Sequence, residues 1–264
     1  MYEFDYHRPG TLDAAVKLAG EADAKILAGG HTLIPTLKQR LAAPKLLVDL
    51  HAVRELQGVH LKDGQLVIGA MTTHAHVADS ALVKAHLPGL AALAAGIGDP
   101  HVRHRGTIGG SVANNDPAAD YPSAVLALNA TIITNKRSIK ADDFFKGMFE
   151  TALAEGEIIT HFSFPAGIKS GYAKFPNPAS RYALVGVYVA QHGSDARVAV
   201  TGAGANGVFR ASTLEAALKG NFSAAALEGK SVPADGINSD MHADAAYRAH
   251  LIGVMARRAV AAAH

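Results

Sequence analysis

Polar and apolar positions alternate over residues 2–8, YEFDYHR, before Pro9 and Gly10, which predicts a short strand and a turn. Thr11 then opens TLDAAVKLAGE, whose apolar positions recur at helical spacing, so a capped amphipathic helix follows. Ala24 to Leu27 is a short apolar strand leading straight into Gly29 and Gly30, and Leu33 to Leu41 reads as a helix whose first turn faces that glycine pair. This geometry points unsatisfied amides and the positive end of a helix dipole at an anion. Leu46 to Leu50 is another strand, and Val59 to Gly69 reads as a hairpin with its tip at Lys62 to Gly64, where Asp63-Gly64 accommodates positive φ. The Ala/Leu-rich stretch from Thr73 to Ala95 is helical and broken at Pro88; Gly96 and Gly98 close it before a second glycine pair. Pro122 opens a helix, PSAVLALNA, and strands follow near Thr131 to Thr134 and Glu157 to Phe164.

Around Pro165 the texture changes. Gly167, Gly171, Pro176 and Pro178 punctuate a segment that reads as a turn-rich connection, which divides the chain into domains at 1–166 and 167–264. The second part offers strands at Leu184 to Gln191, Arg197 to Thr201 and Val208 to Ala211, a helix at Thr213 to Lys219, and a long closing helix over about 243–262. Strands in a run with helices after them predict a small α+β layer packed on the first domain.

At 264 residues and 49% apolar composition the chain can bury a large core. It contains no run of eighteen apolar residues and no basic-then-apolar N-terminus, so the cytoplasm is the expected compartment, with no membrane span and only peripheral membrane association left open. The absence of cysteine excludes disulfides, a cysteinyl flavin link, a thiolate zinc site and any cysteine-ligated iron–sulfur cluster held by this chain. A net charge of +2 with scattered Lys and Arg forms no basic stripe, so nucleic acid is not an expected partner.

Two segments carry the candidate chemistry: AGGHTLIP (Ala28 to Pro35) and TIGGSVANNDPAADYP (Thr107 to Pro122). Either alone is more often a tight turn than a ligand site, but together they could hold two linked phosphates from opposite sides. Asn114, Asn115, Asp116 and Asp120 follow the second pair, beside Val112 and Ala113, which read as buried. A ribityl chain and an adenosine would satisfy such polar groups, and an Asx-turn network that only shapes the loop competes with that reading. Gly202, Gly204 and Gly207 spell G-x-G-x-x-G, yet the following VFRAS is β-like and no acidic residue stands at the expected distance, so a glycine-rich turn is expected there. The pairs His101/His104 and His74/His76 lack a third ligand nearby and read as surface or loop histidines; no metal site and no catalytic residue is assigned.

The two glycine segments, together with TTHAHVADS (Thr72 to Ser80) and NSDMHADAAYRAHLIGVMARRAV near the C-terminus, resemble the FAD-binding medium subunit of molybdenum hydroxylases, the family of aerobic carbon monoxide dehydrogenase and the xanthine dehydrogenase flavin domain. The resemblance spans nearly the whole chain. It implies an α+β fold: a two-part FAD-binding domain of the vanillyl-alcohol-oxidase (PCMH) type followed by a small α+β C-terminal domain. It also implies that Ala28, Gly29, Gly30, His31 and Thr32, with Thr107, Ile108, Gly109, Gly110 and Ser111, hold the FAD pyrophosphate largely through backbone N–H groups. Leu33 and Ile34 match the start of the first helix, Asp120 an acidic FAD ligand, and Ile159 an apolar residue lining the flavin. Lys174 matches a positive charge near the isoalloxazine, and Tyr182 a ring covering one of its faces. The implied role is electron transfer through non-covalent FAD. Substrate is oxidised at a molybdenum cofactor in a large subunit, electrons cross [2Fe–2S] clusters in a small subunit, and the flavin passes them to an external acceptor. A dimer of heterotrimers is the implied assembly. A self-sufficient flavin oxidase or reductase of the same fold is the alternative.

Overall fold

A computed structural model describes residues 1–264, and its N-terminal segment builds a small parallel sheet. Strands β1 (Asp5–His7), β2 (Ala24–Leu27) and β3 (Leu46–Asp49) lie in the order β1-β3-β2, with helices α1 (Leu12–Ala19) and α2 (Leu33–Lys38) between them. Thr11 caps α1, its hydroxyl accepting the Ala14 amide. The alternating 2–8 stretch shortens to three strand residues because only Asp5, Tyr6 and His7 find partners, in Leu46, Leu47 and Val48. The first glycine pair leaves the carboxyl end of β2 beside that of β3, where Leu27 pairs with Asp49. Crevices at such strand ends are where open α/β sheets bind ligands.

The next layer contains β4 (Val59–Lys62), β5 (Gln65–Gly69), α3 (His74–Asp79), α4 (Ala81–His86), α5 (Pro88–Ala95), α6 (Pro100–Arg105), α7 (Ile108–Asn114), α8 (Tyr121–Ala127), β6 (Thr131–Thr134), β7 (Ser138–Lys140), α9 (Ala141–Phe144), β8 (Phe145–Gly147), β9 (Glu150–Thr151) and β10 (Ile159–Pro165). Five strands form an antiparallel sheet, β4-β5-β10-β6-β7, and β8 pairs only with β9. At the tip of the β4–β5 hairpin Asp63 and Gly64 take φ +49 and +72, as an Asp-Gly turn requires. Leu66, Ile68, Ile132, Phe162 and Phe164 bury one face of the sheet among Val77, Leu90, Leu93, Val112 and Val125 of the helices. The Ala/Leu-rich stretch is three helices, because the hydroxyls of Thr73 and Ser80 each cap a new start and Pro88 begins the third.

Glu157 ties the β6–β7 turn to the chain ahead of β10. Its carboxylate, buried from solvent, accepts from Thr134 Oγ1 (2.7 Å), the Ala154 amide (2.8 Å) and Arg137 Nε and Nη2 (both 3.0 Å). The Arg137 bond, joined by the amide and hydroxyl donors, holds this carboxyl at about 2, down from an ordinary 4.5. Because the folded value is depressed, the stabilisation is complete above the unfolded value and is lost as pH falls from about 4.5 toward 2. The guanidinium is half exposed, so solvent screening limits the effect to about 1–2 kcal/mol. Unfolding free energies from urea titrations at pH 6 and pH 3 should draw closer, by more than half of that amount, between the unaltered chain and Glu157→Gln; a constant gap would deny the carboxylate this role.

The C-terminal part consists of β11 (Ser170–Pro176), β12 (Ala183–His192), β13 (Asp195–Thr201), β14 (Phe209–Arg210), α10 (Ser212–Leu218) and α11 (Ala245–Ala261), with the strands in one antiparallel sheet, β11-β12-β13-β14. Val185, Val187, Val189, Val198 and Val200 face Leu251, Ile252, Met255 and Ala259 of α11. Tyr188, Ala190 and Ala199, on the opposite face, belong to the core of the first domain. The unbroken apolar run in β12 reflects this burial on both sides. The stretch expected to be a turn-rich connection contains β11 instead. Gly171 sits within that strand because any Cβ there would run into the Ala259 carbonyl of α11, so this glycine marks a close approach and not a turn. Gly202, Gly204 and Gly207 form the turn between β13 and the two-residue β14, with no helix starting there, and buried Arg248 of α11 donates to the carbonyls of Leu184 (2.7 Å) and Gly202 (2.8 Å). No helix is long and apolar enough to cross a membrane.

Candidate functional site

The two glycine pairs, about eighty positions apart in sequence, touch in space. A Cβ on Gly29 would lie 2.5 Å from the Arg105 carbonyl oxygen and 2.6 Å from Gly106 Cα, and one on Gly110 would lie 3.3 Å from the Cβ of Ala28. At Gly29 only glycine allows this approach, and at Gly110 a methyl would be tight. In the first segment the amides of Gly29, Gly30, His31, Thr32 and Leu33 donate to no atom of the chain, while the carbonyl of Gly30 starts α2 by accepting from Ile34 (3.0 Å). Gly30 takes φ +78, a left-handed step that lets neighbouring amides face a common anion. His31 and Thr32 are exposed, and Ala28, Leu33 and Ile34 are partly covered.

The second segment is built differently from the expected amide cradle. Residues 108–114 are the helix α7, capped by Thr107, and its amides are already used: Ile108 donates to Thr72 O (3.1 Å), Gly109 to Ala70 O (2.8 Å), Gly110 to Thr107 Oγ1 (3.1 Å) and Ser111 to Thr107 O (3.0 Å). Gly109 faces the protein interior, where a Cβ would meet the Ala70 carbonyl at 2.6 Å. This segment therefore offers side chains in place of main-chain donors. Ser111 and Asn114, three residues apart on one side of α7, are partly buried and make no side-chain hydrogen bond within the chain.

The polar residues after α7 divide into two kinds. Asn115 is structural, its Nδ2 donating to the carbonyls of Gly147 (2.7 Å) and Glu150 (2.9 Å), and Asp116 accepts the Ala118 amide in an Asx turn (2.9 Å). Ala113, expected to be buried, is exposed, because it lies on the side of α7 opposite the core residue Val112. Asp120 is 5% exposed and reaches across to the C-terminal sheet. Tyr172 OH donates to its Oδ1, and Lys174 Nζ lies 3.0 Å from Oδ1 and 3.2 Å from Oδ2 while also donating to Gly96 O (2.8 Å). Burial pushes the Asp120 carboxyl up, against the pull of the Lys174 ammonium and the Tyr172 hydroxyl. The lysine matched to a positive charge near a flavin is thus paired with Asp120.

Tyr182, in the loop between β11 and β12, is 48% exposed. Partial desolvation, followed by the carboxylates of Asp116 and Asp120, raises its phenol above 10.0, so the ring is neutral at ordinary pH. Ile159 is buried in the first-domain core. It adjoins Thr160, whose carbonyl accepts the amide of Ala70 (2.9 Å), the residue against which Gly109 packs.

Sequence reasoning missed His74 and Tyr121. His74, expected on the surface, is buried at the start of α3, where its amide donates to Gly106 O (2.9 Å) and its ring stacks at a tilt 5.3 Å from that of Tyr121. Burial first, then the positive charges of His31 and Arg103, lowers its imidazole to about 3. His74 Nδ1 and Tyr121 OH are buried without partners behind the glycine pairs. The one signal for His74 was Thr73 directly ahead of it, which caps α3 and pairs with Thr107 in a β-bridge.

Five free amides, a glycine contact that excludes side chains, and unbonded Ser111 and Asn114 suit a diphosphate carrying a polyhydroxylated chain. No three His, Cys, Asp or Glu side chains gather as a metal ion would need. A cavity of about 440 Å³ lies elsewhere, lined by Arg197, Arg210 and Lys219, and each of these cations is paired, with Asp142, Glu215 and Asp195 respectively.

A family model described as the FAD binding domain in molybdopterin dehydrogenase matches residues 2–167, and one described as the CO dehydrogenase flavoprotein C-terminal domain matches residues 170–263. The chain is 35% identical over 277 residues to the carbon monoxide dehydrogenase medium chain of Hydrogenophaga pseudoflava, covering 98% of this chain and 96% of that one. Its backbone matches a carbon monoxide dehydrogenase structure from that organism with TM-score 0.89, 35% identity and coverage of 99% and 97% of the two chains. It matches quinoline 2-oxidoreductase from Pseudomonas putida 86 with TM-score 0.87, 30% identity and coverage of 98% and 96%.

Proposed function

Since this chain belongs to the FAD-binding medium-subunit family of molybdenum hydroxylases, we propose that it carries electrons from [2Fe–2S] clusters of a small partner subunit to an external acceptor. Substrate oxidation takes place at a molybdenum cofactor in a large partner subunit, and the working assembly is a dimer of such heterotrimers. The observation that carries this reading is the contact between the two glycine pairs with five free amides along the first.

FAD, when bound, supplies a centre that accepts electrons singly and releases them in pairs. The amides of Gly29 to Leu33 bind its pyrophosphate, Ala28 and Gly110 provide a surface without bulk, and Ser111 and Asn114 donate to its hydroxyl chain, while buried Ile108 anchors the start of α7 behind them. Asp116 and Asp120 border the same site. The Lys174–Asp120 pair holds a positive end against the ring, Ile159 supports it from the core, and Tyr182, as a neutral phenol, covers one face and limits approach by solvent and acceptor.

The full chain purified under native conditions should be yellow and hold one FAD that acid releases; with no cysteine, the chain can form no cysteinyl flavin link. A colourless chain that takes up no added FAD would sink this reading. Bleaching of the isolated chain by an organic substrate would favour a self-sufficient oxidase over a relay subunit.

A further inference from the structure

Three cations converge on the carbonyls that follow α5. Lys174 Nζ donates to Gly96 O (2.8 Å), Arg103 Nη1 to Ile97 O (3.0 Å) and Gly98 O (3.2 Å), and Arg181 Nη1 to the same Gly98 O (3.3 Å). The end of a helix attracts positive charge, and Lys174 and Arg103 already answer it. It does not explain a second guanidinium on one carbonyl. Lys174 is neutralised by Asp120, whereas neither Arg103 nor Arg181 forms a salt bridge. Asp99, the acid next to Gly98, commits its Oδ1 to the Val102 amide (2.9 Å) as the cap of α6. Two uncompensated like charges held on one oxygen repel each other, and an anion between them turns that repulsion into attraction.

Arg181 is held in place for such a role. Its amide donates to Asn177 O (2.8 Å), the Asn177 amide donates to Tyr182 O (2.7 Å), and the loop closed by these bonds brings Arg181 from the C-terminal domain onto Gly98. The Nε and Nη2 groups of both arginines bond to nothing in the chain, and Arg181 is exposed. Two guanidinium forks side by side match the oxygens of a phosphate. Helix α6 starts beside Gly98 and ends at Arg105, whose carbonyl abuts Gly29. Its six residues span about 9 Å, so the arginine pair and the amides of Gly29 to Leu33 are two separate anion positions. Arg181 directly precedes Tyr182, the ring proposed to cover the flavin. We infer that Arg103 and Arg181 form a phosphate site that seats a phosphate-bearing electron acceptor at the mouth of the flavin site, an inference that rests on the electron-relay reading above.

The test uses the full chain with FAD in place, so that the Gly29 to Leu33 amides are already occupied. Calorimetric titration with inorganic pyrophosphate at constant ionic strength should find one site. Arg103→Gln and Arg181→Gln should each keep FAD and weaken that site about tenfold or more. Arg258→Gln, an equal loss of charge on α11, should leave it unchanged. Pyrophosphate should also slow reoxidation of the reduced flavin by ferricyanide, two ions per flavin, and Arg181→Gln should abolish that inhibition. A yellow chain that binds no pyrophosphate overturns the site and leaves the relay reading standing. Loss of FAD from Arg103→Gln or Arg181→Gln would assign the pair to the flavin's own phosphates, and ferricyanide reduction that is no slower with pyrophosphate bound would exclude the acceptor route; either overturns the inference. An unaltered chain that takes up no FAD overturns both readings.

Discussion

Replacing Gly29 with alanine is expected to weaken FAD binding by roughly 30- to 150-fold while leaving a folded chain, an effect of about 2–3 kcal/mol. The added methyl would stand 2.5 Å from the Arg105 carbonyl and 2.6 Å from Gly106 Cα, both main-chain atoms that no rotamer change can move aside. The two glycine segments must separate, and a ligand held by both loses its span. Gly10→Ala serves as control, since a Cβ there meets nothing within 4 Å and FAD content should not change. Gly109→Ala should behave differently, because its methyl strikes Ala70 O inside the protein and therefore costs folding stability before it costs binding. Equilibrium titration of apoprotein with FAD, paired with melting curves, distinguishes these cases. Unchanged affinity in Gly29→Ala would mean that the two segments do not share one ligand.

Lys174→Met should destabilise the fold by about 3 kcal/mol near neutral pH, because it leaves the Asp120 carboxylate buried with Tyr172 as its one remaining side-chain donor. Burial already raises the Asp120 carboxyl above 3.8, and removal of the ammonium raises it further. A carboxyl whose folded value exceeds its unfolded value binds more protons when folded, so the variant loses stability as pH rises and regains it as pH falls toward 4. The double variant Asp120→Asn/Lys174→Met removes both charges and should recover most of the loss, giving a coupling energy that a mutant cycle measures. With FAD bound, Lys174→Met should also lower the flavin midpoint potential, and the double variant should bring it part of the way back. A potential unmoved in both would place the pair outside the ring's electrostatic reach.

Features of the fold fixed by short-range chemistry were legible in advance. Thr11, the Asp63-Gly64 turn and Pro88 each specify a local geometry that hardly depends on the rest of the molecule, and each stands where the sequence placed it. The nearness of the two glycine segments was legible for a different reason, since glycine at Gly29 is required by its close approach to Arg105 and Gly106, just ahead of the second pair. What could not be read depends on distant partners. Gly109 and Gly110 suggest a loose loop, yet Thr107 caps them into α7, and Ala70 and Thr72 accept the amides of Gly109 and Ile108. Gly171 suggests a turn until α11 is seen lying on β11. His74 looks like one histidine among fourteen until Gly106 folds over it. The Asp120–Lys174 pair joins residues 54 apart, from the start of α8 to β11, and no local pattern marks it.

Strand β12 contributes its valines to one core and Tyr188 with Ala190 to the other. Neither half of the chain can therefore be inherited, truncated or grafted as an independent cassette: a break near residue 167 would strip the larger half of Tyr188 and leave the smaller half with an oily flank. Evolution is constrained to alter the two halves together, and recombination between relatives should succeed only where both sides of this shared strand come from one parent.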